Sequence, residues 1–146
     1  MSHRDQKAEI EDIVARHRGK QGALLPVLND IQEAFGHIDD PAKRQVAEAL
    51  NLSRAEVHGV VSFYHDFRDK APERPVIRLC CAEACQARGG EALAQKAEQI
   101  ASGRVVIEPV YCLGLCSVGP NAMIGRDVHA RLDEGMLTAL IEGAAA

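Results

Sequence analysis

Cysteine placement constrains this chain more than any other feature. The five cysteines lie in two tight clusters, with Cys80, Cys81 and Cys85 in the first and Cys112 and Cys116 in the second. The start of the sequence lacks the apolar segment of a secretory signal, and no apolar run approaches the roughly 20 residues that span a bilayer. We therefore expect a cytoplasmic protein with reduced thiols, in which clustered cysteines favour metal binding over a disulfide framework.

Composition and charge narrow the range of functions. The 146-residue chain carries a net charge of -4, and it has no basic stripe of the kind that binds nucleic acid phosphates. It also lacks a glycine-rich loop with the spacing of a P-loop or a Rossmann site, and no two histidines pair at i, i+4 on a predicted helix. We expect a chain that is not catalytic by itself and that contacts neither nucleic acid nor membrane directly.

Helical periodicity characterises the first half. The first two predicted helices carry apolar stripes, made of Ile10, Ile13 and Val14 in one and of Leu24, Leu28, Ile31 and Phe35 in the other. Gly36 is the expected end of the second helix.

Two further helices are predicted from capping signals. Asp40 and Pro41 are expected as the N-cap and first residue of a third helix, and Ser53 to Glu56 has the form of a capping box that begins a fourth. The core positions of the third helix are predicted to be Val46, Ala49 and Leu50. A helical subdomain is therefore expected over residues 1–70.

The pattern changes after a charged, proline-bearing linker at 68–75. Strands are predicted at 76–79, 104–111, 123–124 and 128–130, the last two joined by a turn at 125–127. One helix is expected to begin near residue 90, and another, carrying Leu137, Leu140 and Ile141, to precede an alanine tail that frays. The order strand, helix, strand, strand, strand, helix predicts a thioredoxin-like α/β domain over residues 71–146, and an α+β protein overall.

The two cysteine clusters follow predicted strands, so two strand-end loops can present thiolates to a common point. Four thiolates are the ligand set of a [2Fe–2S] centre. The spacings C-x4-C and C-x3-C suit such a centre, and the ligands that they indicate are Cys80, Cys85, Cys112 and Cys116. Zinc also accepts four thiolates, although its structural sites usually use C-x2-C knuckles. Nearby glycines let backbone amides approach sulfur, and the leucines at 113 and 115 are expected to exclude water.

Several motifs together resemble a known family. The cysteine pattern with Cys112-Leu113-Gly114-Leu115-Cys116, the segment from Leu25 to Gly36, and the segment from His58 to Tyr64 are similar to thioredoxin-like [2Fe–2S] subunits. That family includes the small cluster subunit of NADH:quinone oxidoreductase and its relatives in NAD-linked hydrogenases and formate dehydrogenases. The resemblance implies one [2Fe–2S] cluster on the four named cysteines, with Cys81 as a bystander, although Cys81 also forms an alternative C-x3-C pair with Cys85.

Within the family, residues 82–86 and 128–132 resemble the gamma subunit of NAD-dependent molybdenum formate dehydrogenase. This resemblance implies an electron-transfer subunit that exchanges single electrons with an FMN- and NAD-binding flavoprotein subunit. Through that partner it would connect to a molybdenum- and Fe–S-containing catalytic subunit. The alternatives are the equivalent subunit of NADH:quinone oxidoreductase or of an NAD-linked hydrogenase, or a free-standing thioredoxin-like ferredoxin.

Overall fold

A computed structural model describes residues 3–146, with side chains from residue 5 onward. The chain divides into two compact units, Met1–Ala71 and Pro72–Ala146. None of the helices described here combines the length and the hydrophobicity that a membrane span requires.

Four helices build the first unit: α1 (His3–His17), α2 (Leu24–Phe35), α3 (Asp40–Leu50) and α4 (Arg54–Phe63). The stripe residues of α1 are buried, as are Leu28 and Ile31 of α2, whereas Leu24 and Phe35 pack against this core from its edge. The four predicted helices are confirmed, as are the apolar faces of α1 and α2. The core comprises Ile10, Ile13, Val14, Val27, Leu28, Ile31, Ile38, Ala42, Val46, Ala47, Val57 and Val61.

The helix ends show which capping predictions are correct. Gly36 ends α2 in the left-handed region with φ of 73°, and Ser53 begins α4 with a complete capping box. The predicted start of α3 is wrong by one residue, because the N-cap is Asp39, whose carboxylate accepts a hydrogen bond from the Ala42 amide at 2.8 Å. Asp40 is therefore the first helical residue. Two adjacent aspartates offer the same signal, and only the backbone geometry separates them.

One burial prediction in this unit is also corrected. Ala47 faces the core, whereas the predicted core residue Ala49 is exposed. At the end of α4, Phe63 is 73% exposed and Tyr64 is also exposed. Their rings stack edge to face on each other with centroids 5.2 Å apart. Val57 and Val61 are the buried residues of α4, so the apolar face of this helix turns to solvent after Val61.

The second unit contains a four-stranded sheet with the order β2-β1-β3-β4, from β1 (Val76–Cys80), β2 (Val106–Val110), β3 (Ala122–Ile124) and β4 (Asp127–His129). Strands β1 and β2 are parallel, and the other pairs are antiparallel. Three helices, α5 (Glu83–Gln86), α6 (Gly90–Ala101) and α7 (Glu134–Ala145), complete the unit. Its core comprises Ile77, Leu79, Leu93, Ala97, Ala101, Val105, Ala122, Leu132, Leu137 and Ile141.

The predicted element order of this unit is confirmed, with one added helix and small differences in the bounds of the strands. The short helix α5 was not predicted, since four residues carry too little periodicity. Strand β1 continues through Cys80, β2 begins only at Val106, and the hairpin loop holds two residues, Gly125 and Arg126. The terminal helix extends to Ala145, in keeping with the high helix propensity of alanine, and the fraying of the alanine tail stays a prediction.

Candidate metal centre

The parallel pairing of β1 and β2 brings the two cysteine clusters to the same edge of the sheet. Cys80 is the last residue of β1 and lies in register with Val110, the last residue of β2. The Cys81 amide donates to the Val110 carbonyl at 2.8 Å, so the loop that carries Cys112 begins directly beside the first cluster. Because parallel strands end at one edge, two loops distant in sequence become neighbours.

Four of the thiols lie in two close pairs. Cys80 and Cys85 are buried and hydrogen-bond to each other, while Cys112 and Cys116 are exposed with their Sγ atoms 3.6 Å apart. The two pairs lie on neighbouring loops, because each loop follows one of two paired parallel strands. The structure therefore places the four sequence-predicted residues at one edge of the sheet.

Backbone amides surround the Cys80 sulfur. Burial raises the pKa of the Cys80 thiol, but hydrogen bonds from the Ala82, Cys112 and Leu113 amides and from Cys85 outweigh it, and the pKa is lowered overall. Cys112 has a left-handed backbone with φ of 95°, which is rare without glycine. Successive amides that converge on one atom form an anion-binding nest, a feature common at Fe–S sites.

The other three sulfurs have different surroundings. Cys112 accepts a hydrogen bond from the Gly114 amide at 3.4 Å. Burial raises the pKa of the Cys85 thiol, and its hydrogen bond to Cys80 raises it further, whereas a hydrogen bond from the Asn121 backbone N–H lowers it. The hydrogen bond to Cys112 raises the pKa of Cys116. A bound cation would favour loss of these protons, because thiolate is the metal-binding form.

Cys81 is engaged differently from its neighbour. Its Sγ donates to the Leu79 carbonyl at 3.5 Å, whereas the Cys80 sulfur contacts Cys85. Burial raises the pKa of the Cys81 thiol, and the charge of Cys80 raises it further. Adjacent side chains at a strand end point in different directions, which accounts for the separate partners.

Tight packing surrounds the Cys85 sulfur. A Cβ atom at Gly119 would lie 3.0 Å from the Cys85 Sγ, and one at Gly90 would lie 2.6 Å from the Cys85 carbonyl oxygen. The Asn121 side chain donates from Nδ2 to the Cys85 Sγ at 3.6 Å. Sequence reasoning did not identify Asn121, because a single asparagine before a strand has no distinguishing signal.

The surroundings of the four sulfurs fit a sulfur-bound cluster, and one expectation about their exposure is corrected. Amide donors and a close glycine backbone suit negatively charged sulfur. Within the described residues, no three His, Cys, Asp or Glu side chains converge on a point suited to a single metal ion; a two-iron cluster does not require this, because each iron takes two protein thiolates. The expected exclusion of water is not met at the second pair, since Leu113 and Leu115 are only half-buried and Cys112 and Cys116 are exposed.

Known proteins resemble this chain over most of its length. A subunit of the NADH-quinone oxidoreductase of Rhizobium meliloti is 32% identical, over 93% of this chain and 86% of the relative. A subunit of the NADH-quinone oxidoreductase of Escherichia coli is 28% identical, over 94% of this chain and 88% of the relative. Subunit alpha of the NAD-reducing hydrogenase HoxS of Cupriavidus necator is 29% identical over 92% of this chain. The match covers only 24% of that longer subunit.

A solved structure and a family model agree with these relatives. A chain of an NAD+-reducing [NiFe]-hydrogenase in the air-oxidised state superposes with a TM-score of 0.66 at 26% identity, covering 80% of this chain and 22% of that one. The model of the thioredoxin-like [2Fe–2S] ferredoxin family matches residues 10–145. The resemblance to formate dehydrogenase stays a prediction. The chain belongs to the thioredoxin-like [2Fe–2S] ferredoxin family, whose members carry one [2Fe–2S] cluster.

Proposed function

We propose that this chain is an electron-transfer subunit that holds one [2Fe–2S] cluster through Cys80, Cys85, Cys112 and Cys116. The observation that carries the proposal is geometric: Cys80 ends β1 in register with the last residue of β2, the Cys81 amide bonds to the Val110 carbonyl at 2.8 Å, and the Cys112 and Cys116 sulfurs lie 3.6 Å apart on the adjoining loop. When bound, the cluster supplies one-electron redox chemistry. The chain itself supplies the ligands and the amides that stabilise their negative charge.

The exposed pair of thiols supports a particular surface as the place of electron exchange. Cys112 and Cys116 are exposed, whereas Cys80 and Cys85 are buried. Tyr111, next to Cys112, is 73% exposed and offers an aromatic contact at the same surface. Aromatic side chains are enriched at protein interfaces. We infer that the redox partner approaches the surface formed by Tyr111, Cys112 and Cys116.

The finer proposal concerns the parent complex. Residues 82–86 and 128–132 resemble the gamma subunit of NAD-dependent molybdenum formate dehydrogenase. In such a complex, an FMN- and NAD-binding flavoprotein subunit would be the direct partner, and a molybdenum- and Fe–S-containing subunit would oxidise formate. The relatives favour a second candidate, in which the parent complex is a NADH-quinone oxidoreductase or an NAD-reducing hydrogenase. Both candidates assign the same electron-transfer role to this chain.

Metal analysis and spectroscopy test the cluster. The purified protein should be red-brown and contain about two irons and two acid-labile sulfides per chain, and dithionite should produce a rhombic spin-one-half EPR signal. These results follow if the four thiolates bind two irons. One zinc per chain without visible absorbance would instead establish the structural zinc alternative.

Isolation of the parent complex tests the finer proposal. The protein should be purified with its native partners, and NAD reduction measured with formate, with hydrogen and without substrate, alongside NADH oxidation by quinone. Formate-dependent NAD reduction, together with a molybdenum-containing largest subunit, would support the formate dehydrogenase. Activity with hydrogen or quinone alone would support the second candidate. A cluster-loaded protein that purifies without partners would support a free-standing ferredoxin.

A further inference from the structure

Asn121 lies where both cysteine clusters meet. The residue is 1% exposed and immediately precedes β3. Its backbone carbonyl accepts a hydrogen bond from the Cys80 amide at 2.9 Å. Its side-chain Nδ2 donates to the Leu115 carbonyl at 2.9 Å and to the Cys85 Sγ at 3.6 Å. Its backbone amide also donates to Cys85. One residue therefore contacts the first cluster at three points and the Cys112–Cys116 loop at a fourth.

The contacts of the Asn121 side-chain oxygen explain how the amide group is oriented. Asn121 Oδ1 is buried and finds no hydrogen-bond donor among the described residues. A buried acceptor without a partner costs about 1–3 kcal/mol. Rotation of the amide by 180° would place Oδ1 against the Leu115 carbonyl oxygen and the Cys85 sulfur, which are both electron-rich. The amide is therefore held with its donor towards the sulfur, even though its acceptor is left unpaired.

We propose that Asn121 is a positioning residue for the cluster: its amide ties Cys85 to the Cys112–Cys116 loop and raises the reduction potential through its N–H···S bond. The inference rests on the proposed ligand set, in which Cys85 binds iron. Reduction adds negative charge that is shared by the ligand sulfurs, so a donor to sulfur stabilises the reduced form more than the oxidised form. The contact to Leu115 acts separately, by fixing the loop between the two exposed ligands.

The test replaces Asn121 by leucine, which has a similar size and no side-chain donor but keeps the backbone amide that donates to Cys85. Asn121→Leu should have a more negative midpoint potential than the native protein and should lose iron to a chelator about 10- to 100-fold faster, the effect typical of lost outer-shell contacts. Asn29→Leu is the matched control, because Asn29 is an exposed residue of α2 in the helical unit. The control should keep both native values.

The outcomes separate this inference from the proposed function. A native protein without a [2Fe–2S] cluster would overturn the proposed function. A native cluster together with an unchanged potential or an unchanged iron-loss rate in Asn121→Leu would overturn only the role of Asn121. If this variant cannot be loaded, far-UV circular dichroism of its metal-free form decides: a native spectrum supports the positioning role, and a lost fold assigns Asn121 to folding and overturns it.

Discussion

Neighbouring residues in this chain have different chemistry because their backbones direct them to different partners. Cys80 accepts hydrogen bonds from three amides, two of which belong to the loop after β2, while the adjacent Cys81 thiol bonds to the Leu79 carbonyl. A thiolate needs such donors when it is buried, because desolvation otherwise favours the neutral thiol. The surroundings therefore favour Cys80 over Cys81 as the ligand in our proposal.

Paired substitutions test this difference. Cys80→Ser should lose most of its iron after anaerobic reconstitution, because a serine hydroxyl is a harder and much less ionised ligand than a thiol. Cys81→Ser should retain about two irons per chain and a nearly native EPR spectrum. Iron analysis and EPR of both variants provide the measurement. Iron retained by Cys80→Ser and lost by Cys81→Ser would show that the C-x3-C register is the true one, and retention by both would show that the thiols are interchangeable.

At the scale of elements, the helical unit is organised by caps as well as by apolar faces. Asp39 is the N-cap of helix α3, and its carboxylate accepts a hydrogen bond from the Ala42 amide. Helix α4 begins with a capping box, in which Ser53 and Glu56 each accept a hydrogen bond from the backbone amide of the other. The capping bonds satisfy amides that have no partner inside the helix. Helix α3 also carries Lys43, which is buried and bonded to Asp40 and Asp69.

The N-cap of α3 can be checked by a pair of alanine substitutions. Asp39→Ala should lower the free energy of unfolding by about 1 kcal/mol, the usual cost of removing an N-cap side chain. Asp40→Ala should cost less, because Asp40 is exposed and Lys43 keeps its bond to Asp69. Urea unfolding followed by far-UV circular dichroism measures both changes. A larger loss for Asp40→Ala would show that the helix begins one residue later than the structure indicates.

At the scale of the whole molecule, each unit exposes aromatic side chains. Phe63 and Tyr64 lie at the end of α4 in the helical unit, and Tyr111 lies beside the exposed thiols of the second unit. Exposed aromatic residues of this kind frequently dominate the binding energy of an interface. The proposed subunit role gives both surfaces a reason to remain uncovered in the isolated chain.

Partner binding can therefore be tested in the full-length chain. Phe63→Ser should weaken binding to the flavoprotein partner about 10-fold or more, since truncation of a central aromatic contact costs above ~1.4 kcal/mol. Met136→Ser is the matched control, because Met136 is 45% exposed on α7 of the other unit. Calorimetry or surface plasmon resonance with the purified partner gives both affinities. Equal affinities for Phe63→Ser and the native chain would show that the end of α4 is not a docking element.

Local signals account for the parts of the fold that could be predicted. Apolar spacing located the buried faces of α1 and α2, and the residues Gly36 and Ser53 marked helix ends, because these features depend on a few neighbouring residues. The errors occur where local signals are degenerate or short. Asp39 and Asp40 are equivalent as caps in sequence, and the four residues of α5 are too few to show a period.

By itself, the sequence determined the order of the elements, the family and the group of candidate ligands, since periodicity and cysteine spacing are properties of the linear chain. Only the tertiary structure decided what surrounds each sulfur. The amides of Cys112 and Leu113 reach Cys80, and the side chain of Asn121 reaches Cys85, across 36 residues of sequence, because β1 pairs with both β2 and β3. The exposure of Cys112 and Cys116 was likewise decided there, since burial depends on which distant segments pack over a loop.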